Sequence, residues 1–79
     1  MARVLLFGRL ADVAGWRERQ IDCLSIRTLR DLLAGEDAAL GEALAGKGVQ
    51  VALDQAIVRG DATLTAGSEV AFLPPMSGG

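Results

Sequence analysis

The sequence predicts a small α+β domain in which helices cover one face of a mixed sheet. Three observations carry that expectation. Short apolar or alternating runs stand near both ends of the chain, leucines at helical spacing fill its middle, and glycine, proline and aspartate punctuate the segments between them.

Arg3 to Phe7 is apolar enough for a buried strand and too short for a helix. Gly8 to Arg17 carries Asp12 and Gly15 without sustained alternation, and reads as a connection with one helical turn at Leu10–Val13. Glu18 to Leu24 forms a second strand, Ile21 and Cys23 sharing a face, and pairs with the first as an antiparallel hairpin. Thr28 is the predicted N-cap of the main helix, with Leu29, Leu32 and Leu33 as its apolar stripe. Asp31 then occupies the third helical position, where its charge meets the positive end of the dipole, and Gly35 ends the helix. Asp37 caps a second, shorter helix with Leu40 and Leu44 four apart, stopped by Gly46 and Gly48. Gly41 inside it costs about 1 kcal/mol relative to alanine.

Val49, Val51 and Leu53 alternate with Gln50 and Ala52 as in a half-buried strand. Ile57 and Val58 begin a short strand before a Gly60-Asp61 turn, and Glu69–Leu73 is the last strand. Pro74-Pro75 stops it, because proline has no N–H to offer a sheet. The order ββαββ(β), with one main and one short helix on one face, is that of the β-grasp, or ubiquitin-like, architecture. In it the first and last strands lie side by side in parallel at the sheet centre. The expected division is a domain over 1–75 and a flexible Gly-Gly tail over 76–79.

Seventy-nine residues fit one domain, which at this size buries only roughly 60% of the surface its unfolded chain exposes. Ten acids against eight bases argue against a nucleic-acid binder. With no histidine and one cysteine, a zinc site of Cys and His ligands and an imidazole-based triad are both excluded, and no metal or bound cofactor is expected. Cys23 cannot form an internal disulfide and reads as a small core residue; Arg19 and Arg27, four away on either side, are the only cations near it in sequence. Glu36-Asp37 read as helix-boundary capping, and the arginines from Arg3 to Arg59 as solvated surface charge. Gly8, Gly15 and Gly46-Lys47-Gly48 make no phosphate loop. The N-terminal apolar run, Val4 to Phe7, is far shorter than the roughly 7–15 residues of a secretory signal or the about 20 of a membrane span. The expected location is the cytoplasm.

Two features point to function. By strand parity Leu5, Phe7, Ile57 and Leu73 lie away from the helices, on a sheet face the chain has no second layer to cover. They simply remain exposed, or the loop after strand one folds over them, or they form an apolar patch that docks on another protein, and the last reading is preferred. The other feature is the ending Pro74-Pro75-Met76-Ser77-Gly78-Gly79. Two terminal glycines arise by chance roughly once or twice in a hundred sequences of this glycine content. Residues 76–79, fully extended, reach about 13–14 Å beyond the last proline. A stiff diproline thus launches a tail whose tip has no side chains, suited to thread a narrow channel and present its own carboxylate as the reactive group. Activation by a partner enzyme as an acyl adenylate would let a sulfur nucleophile or an amine replace AMP.

The stretch Gly67 to Gly79, with its Pro-Pro-Met-Ser-Gly-Gly end, resembles the end of the small subunit of molybdopterin synthase, the MoaD family of sulfur carriers. Val4-Leu5-Leu6-Phe7-Gly8 with Asp12 and Gly15 is similar to that family's start, so the resemblance covers essentially the whole chain. It implies that Gly79 is adenylated by a ubiquitin-activating-type adenylyltransferase using ATP, and is then thiocarboxylated from a sulfur donor protein. Gly78 would thread the channel of the large catalytic subunit, in an expected heterotetramer, and the sulfur would pass to a cyclic pyranopterin to build the molybdopterin dithiolene. Phe7, Ile57 and Leu73 match the family's docking surface, and Pro74, Pro75, Met76 and Ser77 complete the partner-binding set. No nucleic acid, membrane or catalysis by this chain alone is implied. Asp54, where the family often has asparagine, and Ser68, where it often has an acid, are departures. A carrier for thiamin, cysteine or tRNA thiolation, a ubiquitin-like modifier of lysines, and an adaptor with an inert tail remain as alternatives.

Overall fold

The computed structural model describes residues 1–75. Their order is β1 (Ala2–Leu6), α1 (Arg9–Ala14), β2 (Glu18–Ile21), α2 (Ile26–Glu36), α3 (Ala38–Leu44), β3 (Gln50–Leu53), β4 (Ala56–Val58) and β5 (Glu69–Leu73). The strands form one mixed sheet in the order β2-β1-β5-β3-β4. β1 and β5 run parallel beside each other, with Val4 opposite Val70 and Leu6 opposite Phe72, and every other pairing is antiparallel. This is the expected β-grasp arrangement.

Alternation decides which side chains enter the core. Ala2, Val4 and Leu6 of β1, Val70 and Phe72 of β5 and Val51 of β3 are buried on one face. Leu10 of α1, Ile26, Leu29 and Leu33 of α2, and Leu40 and Leu44 of α3 pack with them in one cluster. Phe72 has no exposed surface and lies beneath the Arg30 guanidinium, 5.4 Å from its ring centre. Arg30 also donates to the Leu44 carbonyl at 3.1 Å, closing the end of α3. This arginine is therefore half-buried scaffolding instead of solvated charge. Arg3 pairs with Glu18 and Glu69, and Arg19 forks onto Glu36 over the Trp16 ring. These exposed pairs each contribute little.

Four details depart from the sequence expectations. The single turn at Leu10–Val13 is a six-residue helix, so three helices flank the sheet. β2 stops at Ile21 instead of Leu24, because Leu24 and Ser25 turn away to meet the 63–64 loop through the Leu64 N–H and a Ser25–Thr63 bridge. α2 is capped by Ser25, whose Oγ accepts from the Thr28 N–H at 3.1 Å, which places Asp31 beyond the first turn. Its other leading donors are also met: the Ile26 N–H by the Ala62 carbonyl and the Arg27 N–H by Asp61 Oδ1. Gly35 lies within α2, which ends at Asp37. Asp37 caps α3 through Leu40 N–H as expected.

Gly41 has a steric reason. A Cβ there would lie 2.6 Å from Ala34 Cβ and 2.9 Å from its Cα, where α3 crosses α2. Substitution of a helix-interior glycine by alanine normally stabilises by about 1 kcal/mol. Here overpacking of about 1–3 kcal/mol opposes that gain. Gly41→Ala is expected to lower stability by about 1 kcal/mol in urea denaturation.

Candidate functional site

The face away from the helices divides into two ends. In register across it, Glu18 lies opposite Leu5, Leu5 opposite Ala71, Ala71 opposite Ala52 and Ala52 opposite Ile57. Leu73 is one step further along β5, opposite Gln50, and Phe7 follows β1 with its N–H donating to the Phe72 carbonyl at 3.3 Å. Phe7 is 45% exposed and Ile57 50% exposed, while Leu5 and Leu73 are half-buried. No described element covers them. At the other end Arg3, Gln20 and Glu69 make the same face polar, and Glu18, beside Leu5, bonds back to Arg3. The chain leaves β5 at the apolar end, through half-buried Pro74 and exposed Pro75. A cleft beside them, on the helix side, is lined by Leu10, Val13, Ala43, Val49 and the two prolines. Thus Phe7, Ile57, Leu73, Pro74 and Pro75 gather around one end of the sheet, whereas Met76, Ser77, Gly78 and Gly79 lie outside the described residues.

Asp54 and Ser68 are accommodated by the turns that hold β5. Asp54 and Gln55, the two residues joining β3 to β4, both have positive φ, a conformation that asparagine and aspartate tolerate best after glycine. The Asp54 carboxylate accepts from the Glu69 N–H at 2.9 Å, and its own N–H donates to the Glu69 carbonyl at 2.8 Å. Buried Ser68 accepts from the Thr65 N–H at 2.8 Å, closing the turn into β5. These polar residues were legible as departures, but their structural work lies in contacts 15 and 3 residues away.

Cys23 is half-buried against the core, its Sγ 3.8 Å from the Ile21 carbonyl. Burial, reinforced by the neighbouring Asp22 charge, pushes the thiol above its ordinary pKa. Iodoacetamide at neutral pH is therefore expected to alkylate Cys23 more slowly in the folded protein than in guanidinium, followed by intact mass. Among the described residues no group of three or more Cys, Asp or Glu side chains is placed to hold a metal, and no helix is long and apolar enough to cross a membrane.

A family model described as the ThiS family matches residues 4–79. The chain belongs to the ThiS family. Across its whole length this ThiS-family chain is 32% identical to the molybdopterin synthase sulfur carrier subunit of Escherichia coli, all of which is covered. The crystal structure of SAMP1 from Haloferax volcanii superposes with a TM-score of 0.85 at 29% identity, over 99% of this chain and 98% of that one. The small archaeal modifier protein 1 of Methanosarcina acetivorans superposes at 0.86 with 20% identity, over 99% and 95% of the two chains, a likeness of fold. The ThiS-family chain is thus a small ubiquitin-like protein of the sulfur-carrier type.

Proposed function

We propose that this protein is the sulfur-carrying subunit of a molybdopterin synthase. The full-length 32% identity to the Escherichia coli sulfur carrier subunit supports this reading most directly. In it, an adenylyltransferase of the ubiquitin-activating type docks on the apolar end of the open face. A carboxylate oxygen of Gly79 attacks the α-phosphorus of ATP, and pyrophosphate leaves. Sulfide-level sulfur, already released from a donor protein, then attacks the acyl carbon, AMP leaves with the acyl C–O–P oxygen, and a thiocarboxylate remains. The same face next docks on the large synthase subunit, where Gly78 and Gly79 enter the catalytic channel and the sulfur passes to the cyclic pyranopterin. This chain contributes the acyl carbon and the docking surface, and the partners supply the catalytic groups. The domain over 1–75 acts as the handle and residues 76–79 as the delivery arm.

The likeness to SAMP1 at 29% identity favours one second reading, attachment of the Gly79 acyl group to lysines of other proteins. Intact-mass spectrometry of the protein isolated from its own cells separates the two. A species heavier by exchange of one oxygen for sulfur, lost when Gly79 is removed, is the expected result. Gly79–lysine isopeptide conjugates with no thiocarboxylate would replace the carrier reading by the modifier one.

A further inference from the structure

Pairing geometry puts two glycines at the root of the delivery arm. β1 runs parallel to β5 with Leu6 opposite Phe72, so Gly8, two residues past Leu6, comes beside Pro74, two residues past Phe72. β3 runs antiparallel to β5, so its lead-in, Gly48, comes beside Pro75. Neither proline has an N–H, so ladder hydrogen bonding from their nitrogens is impossible beyond Leu73. What fixes the direction of the chain here is contact. A Cβ on Gly8 would lie 3.1 Å from Pro74 Cγ, and a Cβ on Gly48 would lie 2.7 Å from Pro75 Cβ and 3.5 Å from its Cα. Both glycines also have positive φ, +55° and +84°.

We infer that Gly8 and Gly48 form a collar that seats the diproline and aims the C-terminal carboxylate, an assignment that rests on the carrier reading above. Gly48 is the stricter of the two. Its added Cβ would meet the root of the proline ring, so the main chain at Pro75 would have to shift. The four residues beyond, extended in a partner's channel, form a lever of about 13–14 Å, and a tilt of about 10° at its base moves the tip by about 2 Å. Misplacement of a reacting group by 1 Å can cost about a hundredfold in rate. Gly8 and Gly48 are accordingly positioning residues that act through Pro74 and Pro75.

The test is ATP–pyrophosphate exchange by the ubiquitin-activating-type adenylyltransferase of the same organism, with kcat and KM measured for this protein as substrate. Gly48→Ala adds both backbone strain and the Cβ, and Gly48→Asn adds the Cβ on a residue that tolerates the left-handed region. Gly15→Ala supplies strain alone, since Gly15 has φ +82° with nothing within 4 Å of its added Cβ. Both Gly48 variants are expected to lower kcat at least tenfold with KM within about twofold of wild type, the open face being untouched. A partly unfolded substrate would instead raise KM at constant kcat, and Gly15→Ala should change kcat by less than about twofold. Should Gly48→Ala fail to fold, Gly48→Asn carries the measurement. Unchanged kcat in the folded Gly48 variants, a loss confined to KM, or an equal kcat loss in Gly15→Ala would overturn the collar while leaving the carrier reading intact. Absence of exchange with wild type, where a known substrate of the enzyme is active, would overturn the carrier reading and the collar with it.

Discussion

Removal of Gly79 is expected to bring ATP–pyrophosphate exchange to background while leaving the folded domain as stable as before. Among the described residues the buried apolar side chains run from Ala2 to Phe72, so the core is already supplied by residues well before Gly79 in sequence. Loss of one terminal glycine, which carries no side chain, is expected to alter stability by less than about 0.5 kcal/mol in denaturant titration. The shortened chain still ends in a glycine carboxylate, so its acidity and the absence of a Cβ at the tip are retained. What changes is reach. Each extended residue spans at most about 3.3–3.6 Å. The new carboxylate therefore stops about that far short of the α-phosphorus when the sheet face is docked. Reacting atoms must approach to about 3–3.5 Å with aligned orbitals, and a deficit as large as that distance leaves no productive geometry. Raising the concentration of the variant should not restore turnover, because docking is intact. An inert tail predicts no exchange by the full-length chain either, and that result would remove the carrier and modifier readings together.

The strands and their parity were legible because their information is local. Val4 and Leu6, and Val70 and Phe72, sit at period two within five-residue runs, and the structure buries them as that period requires. The same period assigns Leu5, Phe7 and Leu73 to the opposite face. Several of the misread features depend on partners remote in sequence. Thr28 is passed over as the cap for Ser25, three residues earlier, and that start is supported by Asp61 and Ala62, which take the next two donors of α2 from a loop about 35 residues away. Arg30 looks like any helix-surface arginine until the α3 carbonyl and the Phe72 ring are beside it. Leu64 has only the small Ala62 and Ala66 at strand spacing to signal it, yet it is 4% exposed, packed where the 63–64 loop folds over the start of α2. Glycine at Gly48 and Gly8 carries no periodic signal either, since its meaning lies in what stands opposite.

The apolar end of the open face sets the second large effect. Ile57→Asp is expected to weaken association with the adenylyltransferase by about thirtyfold to a thousandfold, measured by calorimetry or as KM in the exchange assay. Such a loss corresponds to about 2–4 kcal/mol, the range of an interface anchor. Ile57 terminates the row Leu5–Ala71–Ala52–Ile57, in which the two alanines leave a shallow trough between larger side chains at either end. A partner that fills the trough must desolvate Ile57, and an unpaired carboxylate placed there resists desolvation far more than alanine would. Folding, by contrast, should change little, because Ile57 is half exposed and stands on the edge strand β4, where β propensity spans only about 1 kcal/mol. Gln20→Asp, on the polar end of the same face beside Arg3, is the matched control and should bind within about threefold of wild type. The two lesions also separate kinetically. Ile57→Asp should recover toward full kcat as its concentration rises, since the Gly79 carboxylate is unaltered, whereas removal of Gly79 should not. Equal binding by Ile57→Asp and wild type would move the docking surface off the open sheet, and the cleft lined by Leu10, Val13, Ala43 and the diproline would then be the next apolar surface adjoining the root of the tail.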